Sequence, residues 1–436
     1  MQTKKPNLIF ITSKFPVDTS GEFLSHALPF LATRFKIRIV STTPGGNLSR
    51  PLPPEVRFTR MPPLSKAKRF LLTGKVIFSK KFFTQLKELR KSKKLTAKKY
   101  WGTLHTLALG RHLSDYLSDL GEFNSPDPLM IYSFLSHRYV YGSVLAKEFR
   151  KAPTKLVISC RTVDYFRFTH GDYLDGAIKD INEKSDIIQF DSKNNMNDFV
   201  KEFSLNTYDH SKYQLVHFGV SECNVSTVRN DDIQTLNIIT HTQQGTNDGL
   251  YLFVNALSNI HTGHIHWTHI CMRKEDLDLK RHVNRQLIRN PHVTCTFTPI
   301  MKGKERVKFY SENPIHCVMN LNSIIPFEFI ECMSLGIMPI AIDVGGASEF
   351  VNDQNGLLLP ADITAEKLSN VISLAISLDR KAIREKGEMA VQFYRENFLA
   401  TDNYKKLTLD LYSEIVSMQT ESTEELQPDS SHEQVC

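Results

Sequence analysis

The stretch from Leu321 to Pro360, LNSIIPFEFIECMSLGIMPIAIDVGGASEFVNDQNGLLLP, decides the fold. It predicts a loop, a short helix over Pro326–Leu335, a buried strand over Met338–Ile342, and a Gly-Gly turn that starts another helix. A helix followed by a continuous apolar strand is typical of a parallel α/β sheet. Glu331 places one carboxylate in the middle of the otherwise apolar helix.

The same alternation of strand and helix extends along the rest of the chain. The candidate strands are Leu8–Thr12, Lys36–Ser41, Leu129–Phe134, Lys155–Ser159, Asp186–Phe190 and Gln214–His217, and then Leu236–Thr240, Ile265–Ile270, Val293–Phe297, Ile315–Met319 and Met338–Ile342. Alternation of this kind predicts parallel sheets with helical crossovers. We therefore predict an α/β protein of two Rossmann-like domains that face each other across a cleft, where ligands bind at the carboxyl ends of the strands.

The 436 residues suit two domains of about 200 residues each. The first should comprise residues 1–210 together with a closing helix over 398–415, and the second residues 220–390. Residues 417–436 are acidic, rich in Ser and Thr and poor in apolar side chains, which predicts a disordered tail.

The N-terminal sequence MQTKKPNLIFITSKFP predicts a first strand and no signal peptide. No apolar run reaches the roughly 18–20 residues that cross a bilayer. The seven cysteines are scattered without a Cys-x-x-Cys pair, which favours reduced thiols and no structural zinc. We therefore expect a cytoplasmic protein that contains no metal and no cofactor.

The charge of the chain is concentrated in one segment. Between Lys66 and Lys99 there are 13 Lys and Arg residues and one acid, Glu88, so the local charge is +12 in a chain of net charge +7. Phe, Leu, Ile and Val are interleaved with these cations, a pattern typical of helices that bind anionic membranes. A solvated helical face is the alternative. Nucleic acid is not expected as a partner, because no recognisable nucleic-acid motif accompanies the charge.

The segment at Leu321–Pro360 also has the features of an anion site. Pro326 is well placed to start a helix, so the backbone amides of Phe327 and Glu328 would face a phosphate. Glu331 could accept hydrogen bonds from two neighbouring hydroxyl groups, such as those of a ribose. The alternative is that its carboxylate belongs to a structural network. Gly345 and Gly346 would expose further amides, although a tight turn needs glycine for other reasons.

The sequence FEFIECMSLGIMPIAIDVGGASEFVNDQNGLLLP resembles the donor-binding signature of retaining glycosyltransferases of family 4, which have the GT-B fold. It is most similar to bacterial members that build exopolysaccharide, colanic-acid-type and lipopolysaccharide chains. The similarity extends to FPVDTSGEFLSHALPFLATRF and VISCRTVDYF in the first half, to VHFGV at the linker, and to FYRENFLATDNYKKLTLDLYSEI near the end.

This resemblance implies roles for particular residues. In the family, two glutamates separated by seven residues bind the donor sugar and the nucleotide ribose; Glu331 matches the second, and Ser323 stands at the first. The first-domain histidine that touches the donor sugar falls on Arg161. The Arg and Lys that neutralise the diphosphate fall on Gln243 and Asp248. Arg273, in a loop that is glycine-rich in the family, is a candidate for supplying the missing positive charge.

Two functions remain open at this point. The resemblance implies a transferase that moves a sugar from a nucleotide-sugar to a saccharide or lipid-linked acceptor, with retention of the anomeric configuration. Such an enzyme could be peripheral on the inner face of the plasma membrane. The altered donor-site positions favour the alternative, a catalytically inactive GT-B homologue that acts as partner or scaffold of a glycosyltransferase.

Overall fold

A computed structural model describes residues 5–17, 22–48, 50–91, 94–135, 139–161, 177–202, 209–223, 235–241, 248–271, 277–301, 303–321 and 325–424. The chain divides into two compact units. The first unit comprises Met1–Asp191, Met196–Val216 and Tyr404–Cys436, and the second comprises Ser192–Asn195 and His217–Asn403.

The first unit is built on a seven-stranded sheet in which every pairing is parallel. The strands lie in the order β3-β2-β1-β4-β5-β6-β7. Their bounds are β1 Asn7–Thr12, β2 Lys36–Ser41, β3 Arg57–Arg60, β4 Leu129–Phe134, β5 Thr154–Cys160, β6 Ile187–Phe190 and β7 Tyr213–Leu215. Strands β1 and β4 are buried along their whole length, which explains why they are almost continuously apolar.

Helices connect these strands, as parallel pairing requires. Their bounds are α1 Glu22–Arg34, α2 Lys66–Ile77, α3 Lys80–Lys91, α4 Ala97–Ser118, α5 Gly121–Asn124, α6 Val140–Phe149, α7 Ile178–Lys184 and α8 Lys193–Glu202. The core of the unit lies between the sheet and helices such as α4, whose buried face includes Leu104, Leu107 and Leu113.

The second unit repeats the plan with six parallel strands in the order β10-β9-β8-β11-β12-β13. The strands are β8 Thr235–His241, β9 His264–Cys271, β10 Val293–Pro299, β11 Cys317–Asn320, β12 Met338–Ile342 and β13 Leu357–Leu359. The helices are α9 Asp248–Ser258, α10 Leu277–Leu287, α11 Gly303–Glu312, α12 Phe327–Ser334, α13 Ala365–Ser377 and α14 Arg380–Asn397, with a 3₁₀ turn over Ala347–Glu349. The two parallel sheets confirm the predicted α/β class with two Rossmann-like folds.

A final helix, α15 Ala400–Glu424, starts in the second unit and packs on the first from Tyr404 onward. It starts and ends later than the predicted closing helix of 398–415 and continues into the stretch predicted to be a disordered tail. That part of the prediction is wrong for residues 417–424. Their Met, Gln and Glu side chains favour helix, and the first proline comes only at Pro428. The rest of the predicted tail lies outside the described residues.

Two strands were missing from the sequence prediction, β3 and β13. Both lie at the edge of their sheets and are only partly buried. Strand β3 is the four-residue segment RFTR, and β13 is the three-residue segment LLL. Segments this short have too few residues to show a periodic pattern. Among the described helices, none is both long enough and apolar enough to cross a bilayer.

Candidate functional site

The carboxyl ends of β8 and β11 lie side by side in the second unit, because these two strands pair directly. The chain leaves β8 through residues 242–247 and leaves β11 through residues 322–324, both outside the described residues. Gly249, in the first turn of α9, lies close to Leu321, the residue that follows β11. A Cβ atom at Gly249 would lie 2.3 Å from the carbonyl oxygen of Leu321, so only glycine allows this approach.

Helix α12 starts at the same edge of the sheet. Pro326 precedes it in an extended conformation, with φ −76° and ψ 155°, so the helix starts one residue later than predicted. The ring of Phe327 stacks on Phe218 with centroids 5.8 Å apart, which holds the first turn in place. The amides of Phe327 and Glu328 therefore lie at the amino end of a helix, where an anion is favoured.

Glu331 forms a buried ion pair with Arg306 of α11. Nε of Arg306 donates to Oε2 of Glu331 at 2.5 Å, and Nη2 donates to Oε1 at 2.8 Å. Only 2% of the Arg306 side chain and 5% of the Glu331 side chain are exposed. A side-on bidentate pair fixes the plane of the carboxylate. Each carboxylate oxygen can accept more than one hydrogen bond, so the two bonds from Arg306 do not by themselves saturate Glu331.

Glu328 lies one helical turn before Glu331 and contacts the same guanidinium. Nη1 of Arg306 lies 3.3 Å from Oε1 of Glu328, whose side chain is 17% exposed. One arginine therefore serves two carboxylates, and the three side chains together carry one net negative charge. These contacts support the structural-network alternative for Glu331, whose side chain is 5% exposed, while the Glu328 side chain is 17% exposed. The ligand-binding interpretation of Glu331 stays a prediction.

A second buried polar pair lies beside Arg306. His241, the last residue of β8, is hydrogen-bonded through Nε2 to the hydroxyl of Tyr310 at 2.7 Å. Burial lowers the pKa of His241 to about 3, and the nearby Arg306 and His269 act in the same direction. The imidazole is therefore neutral at physiological pH, which excludes it as a cation for binding phosphate.

The buried His241 makes stability depend on pH. The unfolded chain binds a proton at this residue below about pH 6.5, whereas the folded protein does not until about pH 3. Its contribution to stability is complete above pH 6.5 and decreases by about 1.4 kcal/mol for each pH unit below that. When the pH is lowered from about 6.5 to about 5, the free energy of unfolding, measured with urea, should fall in both proteins. The fall should be about 2 kcal/mol smaller in His241→Gln than in the wild type.

The matched control is His261→Gln, since His261 is also a histidine of the second unit but is exposed. This variant should show the same acid destabilisation as the wild type. If His241→Gln follows the wild-type pH dependence, the imidazole is protonated in the folded state.

Gly345 and Gly346 both have positive φ angles, 61° and 88°, which only glycine adopts without strain. They precede a single 3₁₀ turn, not the α-helix that the sequence predicted. Glu349 at the end of this turn accepts hydrogen bonds from the backbone amides of Lys193 and Asn194, both at 2.7 Å. The glycines thus belong to a tight turn, and its Glu349 carboxylate is already engaged by the first residues of α8, which belong to the second unit although the rest of α8 belongs to the first.

Arg161 follows β5 directly and belongs to the first unit. Its guanidinium carbon lies 4.6 Å from the ring centroid of Phe23 and 5.1 Å from that of Phe134. The two rings also contact each other, edge to face, with centroids 5.6 Å apart. Contacts of this kind with two aromatic rings restrict the position of the guanidinium. Arg161 is therefore a cation of restricted position at the carboxyl end of the first sheet.

The remaining candidates are only partly covered by the structure. Ser323, Arg273 and Gln243 lie outside the described residues, so their predicted roles stay predictions. Asp248 is exposed at the start of α9. A carboxylate there, where the resembled family has a lysine, adds negative charge to a helix start that would otherwise attract an anion.

Sequence reasoning missed Arg306, although a signal for it was present. Glu331 was recognised as a carboxylate in an apolar helix, and a buried carboxylate needs a cation. Arg306 and Tyr310 are spaced by one turn on α11 and form its buried face together with Ser311. A search for a cation facing inward could have identified Arg306 as the partner.

Comparison with solved structures identifies the fold of the chain. Sucrose-phosphate synthase of Thermosynechococcus elongatus has a TM-score of 0.67 and 13% identity over 94% of this chain and 100% of that one. HepE of Anabaena, solved in complex with UDP and glucose, has a TM-score of 0.62 and 13% identity over 93% and 100%. The lipopolysaccharide outer core galactosyltransferase WaaB has a TM-score of 0.60 and 13% identity over 94% and 99%. The chain has the GT-B fold.

The similarity is one of structure and not of close sequence. No protein-family profile matches the chain, and no curated protein sequence matches it. At 13% identity, the neighbours establish the fold alone.

Proposed function

We propose that the protein is a glycosyltransferase that moves a sugar from a nucleotide-sugar to a growing surface polysaccharide or a lipid-linked oligosaccharide. The anomeric configuration is retained, as in the family 4 enzymes that the sequence resembles. The nucleotide-sugar is a substrate, and no cofactor takes part. The protein works in the cytoplasm, peripherally on the inner face of the plasma membrane.

The observation that carries this proposal is the arrangement at the start of α12. Backbone amides of Phe327 and Glu328 suit a phosphate, and the carboxylate of Glu331, held in one plane by Arg306, suits the two hydroxyls of a ribose. A nucleoside diphosphate presents these two groups together. The solved neighbour HepE, which shares the fold, was crystallised with UDP and with UDP-glucose.

In this proposal, groups from several elements stabilise the negative charge that develops during the reaction. A departing nucleoside diphosphate gains negative charge as the bond to the sugar breaks, and helix amides and cations stabilise it. Arg161 and Arg273 are the proposed cations, since Gln243 and Asp248 supply none. Ser323 is the proposed neighbour of the donor sugar, where it would offer a hydroxyl in place of a carboxylate.

A second candidate function is a non-catalytic partner or scaffold of a glycosyltransferase. The observation in its favour is Asp248, an exposed acid at the start of α9 in the position of a family lysine. An acid there repels the diphosphate that the lysine would attract. Such a protein would bind a nucleotide weakly and transfer no sugar.

Calorimetric titration with UDP, GDP and ADP, each paired with its 2′-deoxy form, tests the nucleotide site. For the nucleotide that binds, Glu331→Gln should weaken affinity about ten- to a hundred-fold, since it removes charge-assisted hydrogen bonds of about 1.5–3 kcal/mol. The same substitution should change the affinity of the 2′-deoxy form less, because one of the two hydroxyls from which Glu331 would accept is missing.

The 2′-deoxy comparison separates ligand binding from damage to the ion pair with Arg306, which would weaken both nucleotides equally. Equal losses would make Glu331 structural. No binding of any of the three nucleotides would end the proposed function. Binding without transfer to any acceptor would favour the scaffold.

A further inference from the structure

Helices α2 and α3 and the start of α4 expose an unusual number of aromatic rings. The described residues include five exposed Phe and Trp side chains, and four of them lie between residues 70 and 101. They are Phe70 and Phe78, each 84% exposed, Trp101, 63% exposed, and Phe83, 58% exposed. The fifth, Phe149, is covered by the guanidinium of Arg111 at 4.7 Å. The exposure of rings is therefore concentrated in one segment of the first unit.

The helices are held by their opposite faces, so these rings are not a sign of poor packing. Leu72 and Val76 of α2 are buried, as are Phe82 and Leu89 of α3. On α2, Leu71, Lys75 and Phe78 follow at spacings of four and three residues, which places them on one outward face. That face carries both an apolar side chain of 57% exposure and a lysine.

A chain of ring contacts joins α3 to α4. Phe83 contacts Phe82, Phe82 contacts Tyr100, and Tyr100 contacts Trp101, with centroid distances of 6.0, 5.3 and 5.6 Å. The two exposed ends of this chain, Phe83 and Trp101, therefore lie in one patch. The buried middle keeps them rigidly placed, which reduces the entropy cost of burying them against a partner.

Only some of the cations in this segment are held by acids. Lys81 pairs with Glu148 and Asp180, Lys91 with Glu88, and Lys94 with Glu202. Seven others have no acid within ion-pair distance among the described residues: Lys66, Lys68, Arg69, Lys75, Lys80, Lys87 and Arg90. All seven are exposed. The free positive charge thus lies on the same helices as the exposed rings.

We propose that Phe70, Phe78, Phe83 and Trp101, together with these seven cations, form a surface that docks on an anionic lipid bilayer. This surface rests on the peripheral location in the proposed function, and its vesicle test requires no sugar transfer. The rings enter the boundary between headgroups and acyl chains, and the cations remain among the headgroups. Charge complementarity selects an anionic partner. Separate exposed rings suit a bilayer, which deforms around each of them, whereas a protein partner would need a matching apolar pocket for every ring and acids for the cations.

Sedimentation of the full-length protein with lipid vesicles tests the surface. The wild type should bind vesicles that contain phosphatidylglycerol, bind vesicles of phosphatidylcholine alone much less, and be released by salt. Arg69→Glu/Lys75→Glu should reduce binding at least twenty-fold, since each cation near an anionic surface contributes about five-fold. Phe70→Ser/Phe78→Ser should reduce it at least ten-fold without changing the salt dependence.

The matched controls are Lys304→Glu/Lys367→Glu and Ile288→Ser, which remove exposed cations and a 78% exposed apolar side chain from the second unit. These variants should bind vesicles like the wild type. Circular dichroism establishes that all variants remain folded, which is expected because the substituted side chains are exposed.

Trp101 provides a direct readout of insertion. The chain has two tryptophans, and Trp267 is fully buried in the second unit, so only Trp101 should respond to lipid. Its emission should shift to the blue on vesicles with phosphatidylglycerol, and Trp101→Phe should abolish the shift. The proposal is overturned if the wild type does not sediment, if the control variants lose binding as much as the surface variants, or if Trp101 emission does not change. Retention by single-stranded oligonucleotides in place of vesicles would also overturn it.

Discussion

Arg306→Met should lower the free energy of unfolding of the second unit by about 3–5 kcal/mol, because it leaves the carboxylate of Glu331 buried without its cation. The two bonds that are lost, at 2.5 and 2.8 Å, are charge-assisted and shielded from water. Urea unfolding followed by Trp267 fluorescence measures the effect, since this ring is buried in the second unit. If the free energy of unfolding hardly changes in Arg306→Met, Glu331 has another cationic partner.

Two further variants separate the ion pair from simple loss of packing. Arg306→Met/Glu331→Leu removes both charges and should recover most of the lost stability, since replacing a buried pair by apolar groups is often neutral or stabilising. Arg281→Met breaks an exposed pair with Asp278 at 3.0 Å and should cost less than about 1 kcal/mol. The double variant should nevertheless fail to bind nucleotide, because the proposed ribose acceptor is gone.

If the protein is the proposed transferase, Arg161→Ala should reduce the turnover number of sugar transfer about a hundred-fold, because it removes a cation that is proposed to stabilise the developing charge of the leaving group. Arg161→Lys should recover only part of the loss, since an ammonium lacks the planar guanidinium that contacts the rings of Phe23 and Phe134. Transfer assays with the donor identified by calorimetry give the turnover number, while the Michaelis constant for the donor should change less.

Arg111→Ala is the matched control, since Arg111 also lies over a ring, that of Phe149, but on the helix α4 and not at the carboxyl end of a strand. It should retain wild-type turnover. If Arg161→Ala also retains wild-type turnover, the guanidinium only stabilises the rings beside it, and another group neutralises the leaving group.

The sequence predicted the central strands well because they are largely buried and rich in apolar side chains. Lys36–Ser41, Leu129–Phe134 and Met338–Ile342 have the predicted bounds. The edge strand Arg57–Arg60 was not predicted, since a partly exposed segment of four residues has no distinct pattern of hydrophobicity. Within the described residues, local hydrophobicity thus located every central strand, whereas two of the four edge strands, β3 and β13, were missed.

The candidate site was predicted less completely, for a different reason. Glu331 was found because its own helix is apolar, and the start of that helix because of Pro326. Arg306 comes from another helix, 25 residues earlier, and only the folded chain shows that its guanidinium meets that carboxylate. Pairing between side chains distant in sequence has no local signal in a single chain.

The closing helix α15 determines the order in which the two units can finish folding during synthesis. Tyr404 contacts Phe30 with ring centroids 6.2 Å apart, Tyr412 contacts Phe35 at 6.0 Å, and Leu411 and Ile415 are fully buried. The first unit therefore lacks part of its core until residues near 415 have been synthesised, whereas the second unit is nearly continuous in sequence. Because domains fold as units during synthesis, the half that is translated first should be the last to finish folding.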